Sequence, residues 1–160
     1  MERRTTTINR TTSLASPPEV VFAVVNSPET APIIDPAVRA WQPDSRPIGV
    51  GTQFRIRGRL GGMPFRARSE AVSWEPPTLS EFRSVSPSWP YRMTAHHRFD
   101  ERADGGTDYS WSIVFIEQHV VTRPLIAISK RLFERALSAQ AVALARYLDD
   151  RRPDDPLPPL

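Results

Sequence analysis

Residues 107–149 read TDYSWSIVFIEQHVVTRPLIAISKRLFERALSAQAVALARYLD, and the periodicity changes part-way along. In the first part Thr107, Tyr109, Trp111, Ile113 and Phe115 share one face, and Asp108, Ser110 and Ser112 share the other. That alternation is the repeat of a half-buried strand. From Thr122-Arg123-Pro124 onward the repeat lengthens to about 3.6 residues. Leu125, Ile128, Leu132, Ala136, Ala139, Ala143 and Tyr147 fall on one stripe, with Phe133, Leu137, Leu144 and Leu148 beside it. The pattern predicts one long helix from about Arg123 to Asp149, whose apolar side must be covered by another element.

Upstream, the sequence supplies the cover. Asp104-Gly105-Gly106 is a hairpin signal, and before it lie strands at Tyr91 to Phe99 and Leu79 to Val85, separated by breaks at Pro87 to Pro90 and Pro76-Pro77. Gly61-Gly62 joins two more strands. In one, Phe54, Ile56 and Gly58 alternate with Arg55, Arg57 and Arg59; in the other, Phe65, Ala67, Ser69 and Ala71 lie opposite Arg66, Arg68 and Glu70, with Trp74 near its end. A further strand runs from Val38 to about Gln42, after Asp35-Pro36 has forced the chain extended. The threonine-rich residues 4–14 form the first strand. Ser16-Pro17-Pro18-Glu19 then starts a helix, with Ser16 as cap, Pro17 in the first helical position and Glu19 closing a capping box. It ends near Asn26, and a short helical turn follows from Ser27-Pro28-Glu29 to about Ile34.

The order is strand, two short helices, a run of strands on tight turns, and a long C-terminal helix. The fold class is α+β, with a curved antiparallel β-sheet wrapped around the C-terminal helix and two short helices after the first strand. A sheet bent round a helix tends to leave a cavity beside it. With 160 residues, 39% of them hydrophobic, the chain is long enough for one core. Residues 1–150 are expected to form that single domain, and 151–160 a disordered proline-rich tail with nothing to pack.

The composition excludes several kinds of chemistry. The chain has no cysteine, hence no disulfide, thiol nucleophile or thiolate metal site. The net charge is +3 and Lys130 is the sole lysine, so the positive charge is almost all arginine. Arg55, Arg57, Arg59, Arg66 and Arg68 alternate as the solvated face of strands does, without aromatic stacking platforms, and nucleic acid is not an expected partner. The longest apolar run, Val20 to Val25, cannot cross a bilayer. Met1-Glu2-Arg3-Arg4 leads into threonines where a signal peptide would need an apolar stretch. A cytoplasmic protein without membrane insertion is expected; its oligomeric state is open.

Four stretches carry a resemblance: Ala15-Ser16-Pro17-Pro18-Glu19-Val20-Val21-Phe22 followed by Asn26-Ser27-Pro28-Glu29; Pro47-Ile48-Gly49-Val50-Gly51-Thr52-Gln53-Phe54-Arg55; Trp74-Glu75-Pro76-Pro77; and His97-Arg98-Phe99-Asp100 followed by Gly105-Gly106-Thr107. In order and spacing, over roughly residues 5 to 149, the sequence resembles the SRPBCC superfamily, also called START-like or birch-pollen-allergen-like, and within it the polyketide cyclase/dehydrase and lipid transport group. The resemblance implies the helix-grip fold and an apolar, polyketide-like or lipid ligand. Family members range from ring cyclases to lipid carriers. One departure stands out: many relatives have an aromatic residue in the second helix, where this chain reads Ala31-Pro32-Ile33-Ile34-Asp35-Pro36.

Periodicity places His97 on the inward face with Tyr91, Met93, Ala95 and Phe99. Its imidazole can act as acid or base near neutral pH, or it can be a core histidine satisfied by one hydrogen bond. His97 and Tyr109 are the candidate catalytic residues. The candidate ligand-binding set is Phe54, Ile56, Phe65, Tyr91, Met93, His97, Tyr109, Trp111, Ile113, Phe115, Leu132 and Ala136. Aromatic residues there can line a pocket or simply fill a core, but the small residues Gly58, Ala67, Ser69, Ala71 and Ala95 on the same faces favour a cavity. Glu117, Asp35 and Arg123 are placed near its mouth, Glu117 with a solvated strand-end as the alternative. His96 and His97 point to opposite faces and cannot share a site with each other, so no metal is expected, and no cofactor. A small-molecule binding protein is the leading reading. The alternatives are a cyclase/aromatase-like enzyme using cavity shape plus a proton-transfer residue, and a non-catalytic interaction protein with a vestigial cavity.

Overall fold

The alternation at 107–117 becomes β7 (Thr107–Glu117), in which every second residue is buried, and the helical period becomes α3 (Arg123–Asp150). The computed structural model describes residues 5–87, 91–117 and 120–160, with Tyr91 and Val120 as backbone alone. Before β7 come β1 (Thr5–Leu14), α1 (Pro18–Asn26), α2 (Ala31–Ile34), β2 (Val38–Pro43), β3 (Gln53–Leu60), β4 (Met63–Glu75), β5 (Leu79–Ser86) and β6 (Tyr91–Glu101). The strands form one antiparallel sheet in the order β1-β7-β6-β5-β4-β3-β2. Register shifts at Val38/Ala40, Arg68/Ser69 and Ala71/Ser73 insert bulges, which bend a sheet and increase its twist. Gly61 and Gly62 both have positive φ (58° and 83°), which the tight β3–β4 turn requires. Arg55, Arg57, Arg59, Arg66 and Arg68 are all exposed, with Arg55 directly across from Arg68 and Arg57 from Arg66.

The main core gathers Val21, Phe22 and Val24 of α1, Phe99, Tyr109, Trp111, Ile113 and Phe115 of the sheet, and Leu137, Leu144 and Leu148 of α3. A smaller one holds Ile48, Phe54, Ala71 and Phe82, and Trp74 packs against both. Asn26, fully buried at the end of α1, donates from Nδ2 to Phe22 O (3.0 Å) and accepts from Ser80 Oγ (2.8 Å), so α1 is pinned to β5 by a satisfied polar pair.

Three expectations are corrected. Helix α1 begins one residue late: Pro17 is its N-cap, Pro18 is the first helical residue, and no side chain caps it. Ser16 instead accepts a bond at its carbonyl from Thr107 Oγ1 (2.7 Å). On α3 the expected packed side, Leu132, Ala136, Leu137 and Leu144, is buried at Leu137 and Leu144 and half-buried at Leu132 and Ala136, but the stripe does not extend to the start of the helix. Its buried residues are Ile126, Leu137, Gln140, Ala141, Leu144 and Leu148, while Leu125 and Ile128 are exposed, because the secondary stripe meets the sheet. The tail also finds partners at its end: Ser27 Oγ donates to Pro159 O (2.8 Å) and Leu160 packs on the main core, in place of the absence of packing expected. Its prolines are already restricted in φ, which lowers the entropy cost of that docking.

Candidate functional site

The site is built on the inner faces of β6 and β7. Antiparallel register sets His97 directly across from Trp111, and Phe99 across from Tyr109, so His97 and Tyr109 are diagonal neighbours. Their side chains bridge that diagonal: His97 Nδ1 and Tyr109 Oη are 2.7 Å apart. The rings run on as an aromatic array. Tyr109 stacks on Phe99 (centroids 5.0 Å) and on Trp111 (4.7 Å), and Phe82 meets His97 edge-on at 5.7 Å.

A third titratable group joins them from the loop after α2. Asp35 Oδ1 accepts from the Ala37 N–H (2.9 Å), a local turn that fixes the carboxylate. Gly58 allows the loop to lie against β3, since a Cβ there would come within 1.9 Å of Ala37 O. The Arg59 N–H donates to that same carbonyl (2.8 Å).

Burial governs the protonation of all three. Desolvation holds the His97 pKa down to about 4, with the charge of His96 acting in the same direction. Burial pushes Asp35 up to about 6, against the backbone hydrogen bonds from Ala37 and Val38. Tyr109 is pushed well above the ordinary phenol range, by burial first and then by the charge of Asp35. At neutral pH His97 and Tyr109 are therefore both uncharged. The bond between them forms with the phenol donating to Nδ1, or with Nδ1–H donating to the phenol oxygen, according to the imidazole tautomer.

The other expected residues divide into two groups. Tyr109, Trp111, Ile113, Phe115 and Phe54 are buried, Phe115 against Phe133 of α3 (5.5 Å) and Phe54 stacked on Trp41 in the smaller core (4.5 Å). Ile56, Phe65, Met93, His97, Leu132 and Ala136 are half-buried. Tyr91 lies opposite Glu117 in backbone register, but its side chain is outside the described residues, as is His119. His96 is on the opposite face from His97, where it lies 3.0 Å from Glu81. Glu117 is buried and pairs with Arg123 (3.0 Å), tying the end of β7 to the start of α3. Arg10 Nη1 donates to Ser138 Oγ of α3 (2.7 Å), joining the edge strand to the helix. Among the described residues no three His, Asp or Glu side chains converge to ligate a metal.

Sequence reasoning placed Asp35 near the site but left it out of the candidate set. The Asx-type turn of Asp35-Pro36-Ala37 was the available signal. Trp41, Trp74 and Phe82 were missed as aromatic partners, because neither a bulged strand nor a distant neighbour shows in local alternation.

The polyketide cyclase / dehydrase and lipid transport family matches residues 5–149 of this sequence. The chain belongs to that family. Among solved structures, the Zhui aromatase/cyclase from Streptomyces sp. R1128 is similar at 15% identity and TM-score 0.77, over 92% of this chain and 96% of that one. A START superfamily protein from Mycobacterium smegmatis is similar at 14% identity and TM-score 0.73, over 89% and 97%. Norcoclaurine synthase from Thalictrum flavum, as a point mutant with a transition-state analogue, is similar at 12% identity and TM-score 0.71, over 94% and 98%. At these identities the likeness shows that the polyketide cyclase / dehydrase and lipid transport chain shares their helix-grip fold. No curated protein matches the sequence. No helix among the described residues is long and apolar enough to cross a membrane.

Proposed function

We propose that this protein binds an apolar small molecule between the sheet and α3, against the half-buried inner residues of β3, β4 and β6. One observation carries the reading. On β7 the inner face is fully buried, whereas the inner faces of β3, β4 and β6 keep surface at Ile56, Phe65, Ala67, Met93, Ala95 and His97. Apolar inward surface left partly uncovered on either side of β5, whose own Ser80 and Phe82 are buried, is surface that a ligand can cover. His97 sharpens the point: it retains surface, yet desolvation is the main influence on its proton affinity. Family membership agrees with a ligand-binding role.

The test is to fill the space. Titration of the full chain with 1-anilinonaphthalene-8-sulfonate should show saturable binding that Ala95→Phe abolishes while its circular dichroism and stability stay near those of the wild type. Destabilisation by about 1–3 kcal/mol, the usual result of overpacking a filled core, would show that no space exists.

A second reading is favoured by the contact of His97 with Tyr109. A neutral acid–base pair beside a raised carboxylate is suited to moving a proton at a carbonyl carbon chain, as a cyclase- or dehydratase-type reaction needs, while cavity shape brings the reacting ends together. Turnover of a candidate substrate that collapses in His97→Ala, with probe binding retained, would move the protein from carrier to enzyme.

A further inference from the structure

Trp111 carries an unpaired polar group at the centre of the fold. Its indole Nε1 is buried without a hydrogen-bond partner, and no other side-chain nitrogen or oxygen among the described residues is in that position. Protein interiors pair nearly all such donors, so an orphan calls for an explanation. Packing does not supply one. The ring stacks on Tyr109 at 4.7 Å and 14°, and a phenylalanine would give a stacked ring without the unpaired N–H. Its two cross-strand partners have bonds of their own: His97 on β6 pairs through Nδ1 with Tyr109, and Arg10 on β1 donates to Ser138.

We propose that the Trp111 Nε1–H donates to an oxygen acceptor of the ligand, so that the ligand is an apolar ring or chain carrying a carbonyl-type oxygen, and not a plain hydrocarbon. This rests on the small-molecule reading above and adds the polar group that orients the molecule. The donor is shut off from solvent. Half-buried His97, directly across the strand pair, is the inward side chain through which the ligand site borders this donor. Pockets of this kind take affinity from apolar walls and orientation from a few placed donors. A site built to hydrogen-bond an oxygen discriminates against the isostere that lacks it.

The experiment compares 2-acetylnaphthalene with 2-isopropenylnaphthalene, in which a CH2 replaces the carbonyl oxygen. Calorimetric titration of the wild type should favour the ketone by roughly three- to tenfold, as a single neutral hydrogen bond provides. Trp111→Phe should remove the preference while leaving the alkene's affinity within about twofold. No preference in the wild type, or a preference that persists in Trp111→Phe, overturns the proposal. Failure of both probes to bind the wild type overturns the small-molecule reading and this proposal with it. Alkene binding without ketone preference overturns this proposal alone. Should Trp111→Phe not fold, nitrogen-15 indole spectra of the wild type decide. The resonance left after single Phe replacements of the other three tryptophans should move downfield with the ketone and not with the alkene. A resonance unmoved by the ketone, as a bound water would leave it, contradicts the proposal.

Discussion

Tyr109 Oη lies 2.7 Å from Nδ1 of His97, although the register sets Tyr109 across from Phe99 and His97 across from Trp111. The contact therefore runs along the diagonal of the β6–β7 pair, within reach of long side chains. It joins two groups that burial keeps uncharged. Breaking either side should be measurable: a double-mutant cycle of Tyr109→Phe and His97→Ala, followed by urea unfolding, should give a coupling of about 0.5–1.5 kcal/mol. Strict additivity would mean that the bond does not form in solution.

The pH dependence follows from the two shifts. His97 has a folded pKa of about 4, below its ordinary 6.5. Its stabilising contribution is present above pH 6.5 and is lost as pH falls towards 4. Asp35 has the opposite sign: its pKa is raised from 3.8 to about 6, so its contribution is present below pH 3.8 and is lost as pH rises through 6. Asp35→Asn should therefore lose less stability than the wild type between pH 4 and 6. The stability lost on His97→Gln should shrink as pH falls from 6.5 to 4. In proton NMR the His97 ring should not titrate between pH 8 and 5.5, and a midpoint near 6.5 would place it in water.

Gly58 is the position at which a single methyl reaches the site from a distance. Its added Cβ would meet Ala37 O at 1.9 Å, displacing the loop that carries Asp35. Gly58→Ala should destabilise the fold by about 1–3 kcal/mol, as overpacking does, and should bring the Asp35 pKa, followed by carboxyl carbon NMR, back towards 3.8. An unchanged pKa would separate that loop from the site.

The orientation of α3 is testable with two truncations. Leu144 is fully buried and Ile128 is 58% exposed. Leu144→Ala should cost about 2–5 kcal/mol, and Ile128→Ala should fall within about 0.5 kcal/mol of the wild type. The reverse order would contradict this orientation of α3.

The stripe on α3 illustrates what local pattern can and cannot convey. The strands on Phe54, Phe65 and Tyr109 were legible because alternation is fixed by the pleat, and the helix was legible because its period differs. Two adjacent stripes, Leu132–Ala136 and Phe133–Leu137, are nearly equal in apolar content, and which one faces the sheet is decided by tertiary packing. At the site, Tyr109 and His97 could be assigned to inward faces from alternation, but their contact depends on the β6–β7 register, which the Asp104-Gly105-Gly106 turn constrains without fixing. The unpaired donor of Trp111 was not legible at all, because an absent partner is a property of the assembled interior.

Chemical-shift mapping on the labelled full chain shows whether a ligand enters the space between the sheet and α3. With 2-acetylnaphthalene added, shifts should concentrate at Ile56, Ala67, Met93, Ala95 and His97, with Trp111 among the largest and the exposed arginines of β3 and β4 unmoved. Shifts confined to the outer face of the sheet, or an interior that stays unperturbed at saturating probe, would contradict the small-molecule reading.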